Sequence, residues 1–172
     1  MRRDLAEENM KYLKLRPSIE MCRRILGENV IGAEIGVSWG VNARGTLSCW
    51  PQVKVLHLVD IYAKALPEDI EKVKAKFIDF NDRITWHIGS SVEMAKTMAN
   101  ESLDFVYIDA GHSIKAVTMD LNAWFPKVKR PGIICGHDYY SFDSVRLAVD
   151  RWAEDNRKDV FHTEPDWWIF KD

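Results

Sequence analysis

Cysteine is scarce in this chain. Cys22, Cys49 and Cys135 are odd in number, scattered and without Cys-x-x-Cys spacing, which argues against a disulfide scaffold or a zinc knuckle and for buried thiols in a reducing compartment. No apolar run approaches the ~20 residues of a membrane span. The opening Met1-Arg2-Arg3-Asp4-Leu5 lacks a signal-peptide core, so the expectation is a cytoplasmic protein without a membrane partner. Neither sign of charge dominates: the formal net charge is -2, which leaves no basic footprint for nucleic acid and favours a small-molecule partner. Internal repeats and low-complexity segments are missing too. Also absent is the Gly-x-Gly-x-x-Gly run of dinucleotide sites, because Ser38 stands where its middle glycine would fall. That disfavours a nicotinamide oxidoreductase.

What is present is an ordinary globular balance, 47% hydrophobic and 29% charged over 172 residues, enough for one domain that buries roughly two-thirds of its unfolded surface. From Ile31 onward, β-type runs alternate with amphipathic segments. Strands are expected at 31–37, 53–61, 84–88, 103–110 and 132–136. The helices between them carry core stripes at Ile70, Val73 and Phe77, at Val117, Leu121, Trp124 and Phe125, and at Val145, Val149 and Trp152. Ser113 and Asp143 read as helix caps and Pro131-Gly132 as a turn before the fifth strand. Strict alternation implies an α/β doubly wound, mostly parallel sheet covered on both faces. The end of the chain differs: 160–163 and 167–170 are short β-type runs joined by Glu164-Pro165-Asp166, too close for a crossover helix and right for an antiparallel hairpin. Residues 1–30 contain Pro17, which is expected to separate two helices, the second carrying Ile19, Cys22, Ile25 and Leu26. They form an N-terminal segment that serves either as a lid over the site or as a homodimer surface; residues 31–172 form the main domain.

In such a sheet, ligands bind beyond the carboxyl ends of the strands. The stretch Gly32-Ala33-Glu34-Ile35-Gly36-Val37-Ser38-Trp39-Gly40-Val41-Asn42-Ala43 reads as strand, tight turn and helix start. Its glycines let backbone approach a ligand and its carboxylate attracts a polar or cationic group. Asp60 closes the second strand at the spacing where an acid meets ribose hydroxyls. Asp109 and Asp138 end the fourth and fifth strands, which as neighbours would lie about 4.8 Å apart. Two carboxylates so placed repel unless they share a proton or a cation; Mg²⁺ suits hard oxygen donors, and His137 beside them brings Mn²⁺ into range. His112 lies three residues past Asp109, and imidazole is the side chain suited to accept a proton near neutral pH. His57, His87 and His162 fall inside strand-like runs and read as structural.

The glycine stretch resembles motif I of the class I S-adenosylmethionine-dependent methyltransferases. A second stretch strengthens it: Leu103-Asp104-Phe105-Val106-Tyr107-Ile108-Asp109-Ala110-Gly111-His112-Ser113, then Asp120, Trp124 and Pro126, then Pro131-Gly132-Ile133-Ile134-Cys135-Gly136-His137-Asp138-Tyr139. Together these resemble a bacterial family of small-molecule and sugar O-methyltransferases, and the similarity runs from about Gly32 to the end. The resemblance implies a Rossmann-like sheet of order 3-2-1-4-5-7-6, with a seventh strand antiparallel beside the fifth. It also implies S-adenosylmethionine held by Glu34, Gly36, Ser38, Gly40, Asn42, Asp60, Ile61, Ser90, Ser91 and Asp109, and His112 and Asp109 as catalytic residues. A metal, Mg²⁺ or Mn²⁺, would sit on Asp109, His137 and Asp138, although metal-dependent relatives carry an acid where this chain has His137. The expected acceptor is a hydroxylated small molecule, sugars included. The rival readings are metal-free transfer to nitrogen or a carboxylate, and a non-catalytic S-adenosylmethionine-binding module.

Overall fold

The computed structural model describes residues 14–63 and 65–172. Seven strands form one sheet: β1 (Val30–Ile35), β2 (Val53–Asp60), β3 (Ile84–Ile88), β4 (Leu103–Ile108), β5 (Val128–Gly136), β6 (Phe161–Thr163) and β7 (Asp166–Lys171). Their order is β3-β2-β1-β4-β5-β7-β6. The first five are mutually parallel, while β7 runs antiparallel to both β5 and β6. The expected topology, terminal hairpin included, is the observed one. The described helices are α1 (Pro17–Ile25), α2 (Val41–Cys49), α3 (Pro67–Ala75), α4 (Ser91–Lys96), α5 (Ile114–Trp124) and α6 (Asp143–Asp155). None of them is long and apolar enough to cross a membrane.

Buried side chains fall into two clusters, one on each face of the sheet. Val106, Ile108, Leu121, Trp124, Val149 and Trp152 belong to one; Leu47, Trp50, Leu58, Phe77, Phe105 and Ile133 belong to the other. The alternation along β4 explains this: Phe105 and Tyr107 face one layer, Val106 and Ile108 the other. Helix α1 is built into the second layer through Ile19 and Cys22, both essentially inaccessible to solvent. It is also tied to β7, because the Ser18 backbone N–H and hydroxyl both donate to Asp166 Oδ2, at 3.1 and 2.7 Å. The helix expected before Pro17 lies outside the described residues.

Local boundaries differ from expectation at several strand ends and at one helix cap. β5 begins at Val128, not Gly132, with a register irregularity against β4 between Leu103 and Phe105. Pro131, exposed and lacking an N–H, is accommodated at that interruption, so it marks a break inside the strand and not the turn before it. Ser113 caps α5, its hydroxyl accepting from the Ala116 N–H. Asp143 does not cap α6: the cap position is Phe142, and Asp143 occupies the first turn, where it pairs with Arg146 at 2.7 Å. β1 ends at Ile35, β2 at Asp60 and β4 at Ile108, short of the expected Val37, Ile61 and Ala110. The lost residues belong to the ligand-facing turns.

Candidate active site

All the strand ends that sequence reasoning singled out converge on one edge of the sheet. The turn after β1 is set by backbone before side chains: Gly36 has φ 90°, and a Cβ there would lie 2.0 Å from the Asp109 carbonyl oxygen. The ends of β1 and β4 therefore approach closely only because residue 36 has no side chain. The Gly36 N–H donates to the Val59 carbonyl and the Asp109 N–H to the Ile35 carbonyl, at 2.8 and 2.7 Å, which fixes the mutual height of the three strand ends.

Two cavities flank this turn. The first, about 630 Å³, is lined by Gly36, Ser38, Asp60, Ile61, Ser90, Ser91 and Asp109 among others. These are seven of the ten residues expected to hold the cofactor. Glu34 and Asn42 instead line the second cavity, about 490 Å³, with Arg16, Trp39, His112, His137 and Asp138. There the Asn42 side-chain amide donates to Glu34 Oε2 at 2.9 Å. Gly40 lines neither; its φ of 76° starts α2, and a Cβ there would strike the Phe77 ring at 2.6 Å. Gly36, Ser38, Asp109 and Ala110 form the wall common to both cavities.

In the first cavity, Asp60 holds the loops in place. Its Oδ2 accepts from the Ser38 N–H at 2.8 Å and its Oδ1 from the Tyr62 N–H at 2.7 Å, each oxygen keeping a further lone pair. Ser90 caps α4 through the Glu93 N–H, and the Ser91 hydroxyl donates to Asp120 Oδ1 at 2.5 Å while accepting from the Trp124 indole. Asp120, whose carboxyl burial pushes up, and Met119 also line this cavity. Sequence reasoning did not assign them to it. Asp120 falls on the buried stripe of α5 one residue before Leu121, and an acid in that position was the available signal.

The second cavity gathers two histidines and two carboxylates at close range. His137 Nδ1 lies 2.9 Å from Asp138 Oδ1 and 3.9 Å from Asp109 Oδ1, and His112 Nε2 lies 2.9 Å from Asp138 Oδ2. A carboxylate only accepts, so His112 carries its proton on Nε2 and leaves Nδ1 as the basic atom. Its ring stacks on Phe142, centroids 4.4 Å apart and planes 10° from parallel. Its carbonyl accepts from the Ser144 hydroxyl at 2.6 Å. Asp138 adopts φ 65°, a left-handed conformation that Asp tolerates better than most residues; it turns the chain so that one carboxylate meets two imidazoles. Burial, more than any other cause, raises the Glu34 carboxyl to about 8, with the negative charge of Asp109 adding to it. Burial likewise raises Asp109, while His137, Arg16 and His112 pull it back.

One donor atom each from Asp109, His137 and Asp138 fall within 4.8 Å of one another. Ligand bonds of ~2.0–2.6 Å let a single cation span donors so spaced, and two carboxylates with an imidazole are a fitting set for Mg²⁺ or Mn²⁺. Sequence reasoning missed Arg16, whose Nη1 donates to His137 Nε2 at 2.6 Å across 121 residues of chain. It missed Phe142 as well. His57 and His87 pair with each other at 3.0 Å away from both cavities, and His162 bonds the Tyr140 hydroxyl.

This strand order, with its glycine turn and acidic strand ends, defines the class I S-adenosylmethionine-dependent methyltransferase fold. A methyltransferase-domain family profile matches residues 33–139, and the chain belongs to that family. No curated protein sequence matches significantly. Among solved structures, the O-methyltransferase NovP superposes with a TM-score of 0.68 at 14% identity, covering 90% of this chain and 79% of that one. An rRNA methylase from Streptococcus thermophilus gives 0.65 at 12%, covering 90% and 95%. A precorrin 8w decarboxylase from Methanobacterium thermoautotrophicum gives 0.65 at 16%, covering 94% and 97%. At these identities the likeness is one of fold.

Proposed function

We propose that this methyltransferase transfers the methyl group of S-adenosylmethionine to a hydroxyl of a small molecule, with His112 as general base. The observation that carries the reading is the bond between His112 Nε2 and Asp138 Oδ2 at 2.9 Å, in the second cavity. The hydroxylated acceptor occupies the second cavity and the cofactor the first. S-adenosylmethionine supplies an electrophilic methyl, and a divalent ion held by Asp109, His137 and Asp138 would hold and acidify the acceptor hydroxyl. His112 Nδ1 takes the hydroxyl proton as the oxygen–methyl bond forms. Asp138 keeps the imidazole in the right tautomer and stabilises the imidazolium that results, the part a carboxylate plays behind other histidine bases. Phe142 fixes the ring plane. Glu34, buried beside the shared wall, favours a cationic ligand group there, since ionising its carboxyl without a counter-charge is costly.

A small acceptor is favoured over RNA because Arg16 is the one Lys or Arg among the described residues lining the second cavity. A homodimer and a cytoplasmic setting accord with this reading but have no part in the chemistry. The metal is tested by stripping: EDTA-treated protein should lose most of its turnover and regain it with Mg²⁺ or Mn²⁺, and Asp109→Ala should abolish that stimulation. Full activity after rigorous chelation would leave a metal-free, histidine-based transfer, which the His112–Asp138 pair can also support.

For the cofactor cleft, Asp60→Ala should weaken S-adenosylmethionine or S-adenosylhomocysteine binding by about 1.5–3 kcal/mol, the worth of hydrogen bonds to a charged group. Isothermal titration calorimetry reads this directly. Unchanged affinity would reduce Asp60 to a tie between Ser38 and Tyr62.

A further inference from the structure

Resting on the metal reading above, we propose that Arg16 is a built-in rival of the divalent ion: the Arg16–His137 bond and occupancy of the cation site are mutually exclusive. His137 faces Asp138 Oδ1 with Nδ1 at 2.9 Å and Arg16 Nη1 with Nε2 at 2.6 Å. Carboxylate oxygens accept and guanidinium nitrogens only donate, so this ring is the neutral tautomer with its proton on Nδ1 and its lone pair on Nε2. The cation site needs the opposite. Nδ1 is the atom that faces both Asp109 and Asp138, and to ligate it must give up its proton, which moves to Nε2. Two donors then confront each other across 2.6 Å, and a guanidinium charge stands one ring away from a divalent ion. Both effects expel Arg16.

The fold gives Arg16 a defined place and somewhere to go. Its backbone is fixed two residues before Ser18, which the buried Asp166 holds by two hydrogen bonds. Its side chain borders both the acceptor cavity and a neighbouring hollow of about 380 Å³ that contains Glu164. A guanidinium leaving His137 has that hollow to enter, with Glu164 on its wall. Arg16 is thus a positioning residue. With the ion absent it holds His137 and offsets the charge of Asp109; with the ion present it withdraws and opens the cavity on the α1 side.

The test uses the whole chain, Mn²⁺ and Mg²⁺, with no turnover assay. Arg16→Met should bind Mn²⁺, followed by electron paramagnetic resonance, about 10–100-fold more tightly than the unaltered protein, the span expected for removing a competing charge-assisted bond. In the unaltered protein, ¹⁵N imidazole spectra should show the His137 proton on Nδ1 without metal and on Nε2 at saturating Mg²⁺, a measurement that stands even if the variant fails to fold. Equal Mn²⁺ affinities, or a proton that stays on Nδ1 at saturation, would overturn the rivalry while leaving the metal site standing. Failure of both proteins to bind Mn²⁺ would remove the metal reading and the rivalry with it.

Discussion

His112→Ala is expected to lower methyl transfer to the true acceptor by about 10²–10⁴-fold while S-adenosylmethionine affinity stays nearly unchanged, because the loss falls on proton removal and not on cofactor binding. The separation follows from the cavities: His112 lines the second and not the first. The substitution leaves the shared wall of Gly36, Ser38, Asp109 and Ala110 intact. Steady-state kinetics paired with calorimetric cofactor binding decides the matter. Normal turnover would eliminate His112 as the base, and a parallel loss of cofactor affinity would show that its role is structural.

Gly36→Ala should be the most damaging single methyl addition in the site. The new Cβ would arrive 2.0 Å from the Asp109 carbonyl oxygen and 2.5 Å from its carbon, both main-chain atoms that no rotamer change can move aside. The φ of 90° penalises any side chain besides. Together the clash and the backbone strain are expected to cost roughly 2–5 kcal/mol of stability. Prising the β1 and β4 ends apart should also abolish cofactor binding at ordinary concentrations. Urea denaturation and titration calorimetry read the two consequences separately, and an unchanged midpoint with intact affinity would contradict the close approach.

Much of this architecture is legible in the chain because parallel strands buried on both faces must be apolar and must alternate with amphipathic helices. The hairpin is legible because three residues between 163 and 167 cannot bridge a crossover. The start of β5 is hidden for a physical reason as well: Pro131-Gly132 is chemically a turn signal, and only pairing of Leu103 with Val128 shows that the strand begins earlier. In the site, the strand-end rule finds Asp60, Asp109, His137 and Asp138, since position along a strand is local information. It cannot find Arg16. A single arginine before a proline carries no periodicity, and it reaches His137 only because Ser18 and Asp166, 148 residues apart, join α1 to the last strand. Nor does it reveal that Asp138 orients His112, which depends on a left-handed turn in Asp138 and on Phe142 stacking against the ring.

The division of the strand edge into two cavities separated by the turn at Gly36 and Asp109 bears on how such a chain can diversify. The cleft toward Asp60 and Ser90 is walled by the ends of β1 and β2, the turns that follow β3 and β4, and residues of α4 and α5. The other cavity borrows its outer wall from the start of α1, from Trp39 and Val41, and from the loop after β5. On the proposed reading, substitutions in those borrowed segments would redraw the acceptor cavity and leave the proposed cofactor cleft unchanged. Exchange of Arg16, Trp39 and Val41, which line that cavity and not the first, is therefore the economical way to retarget this scaffold.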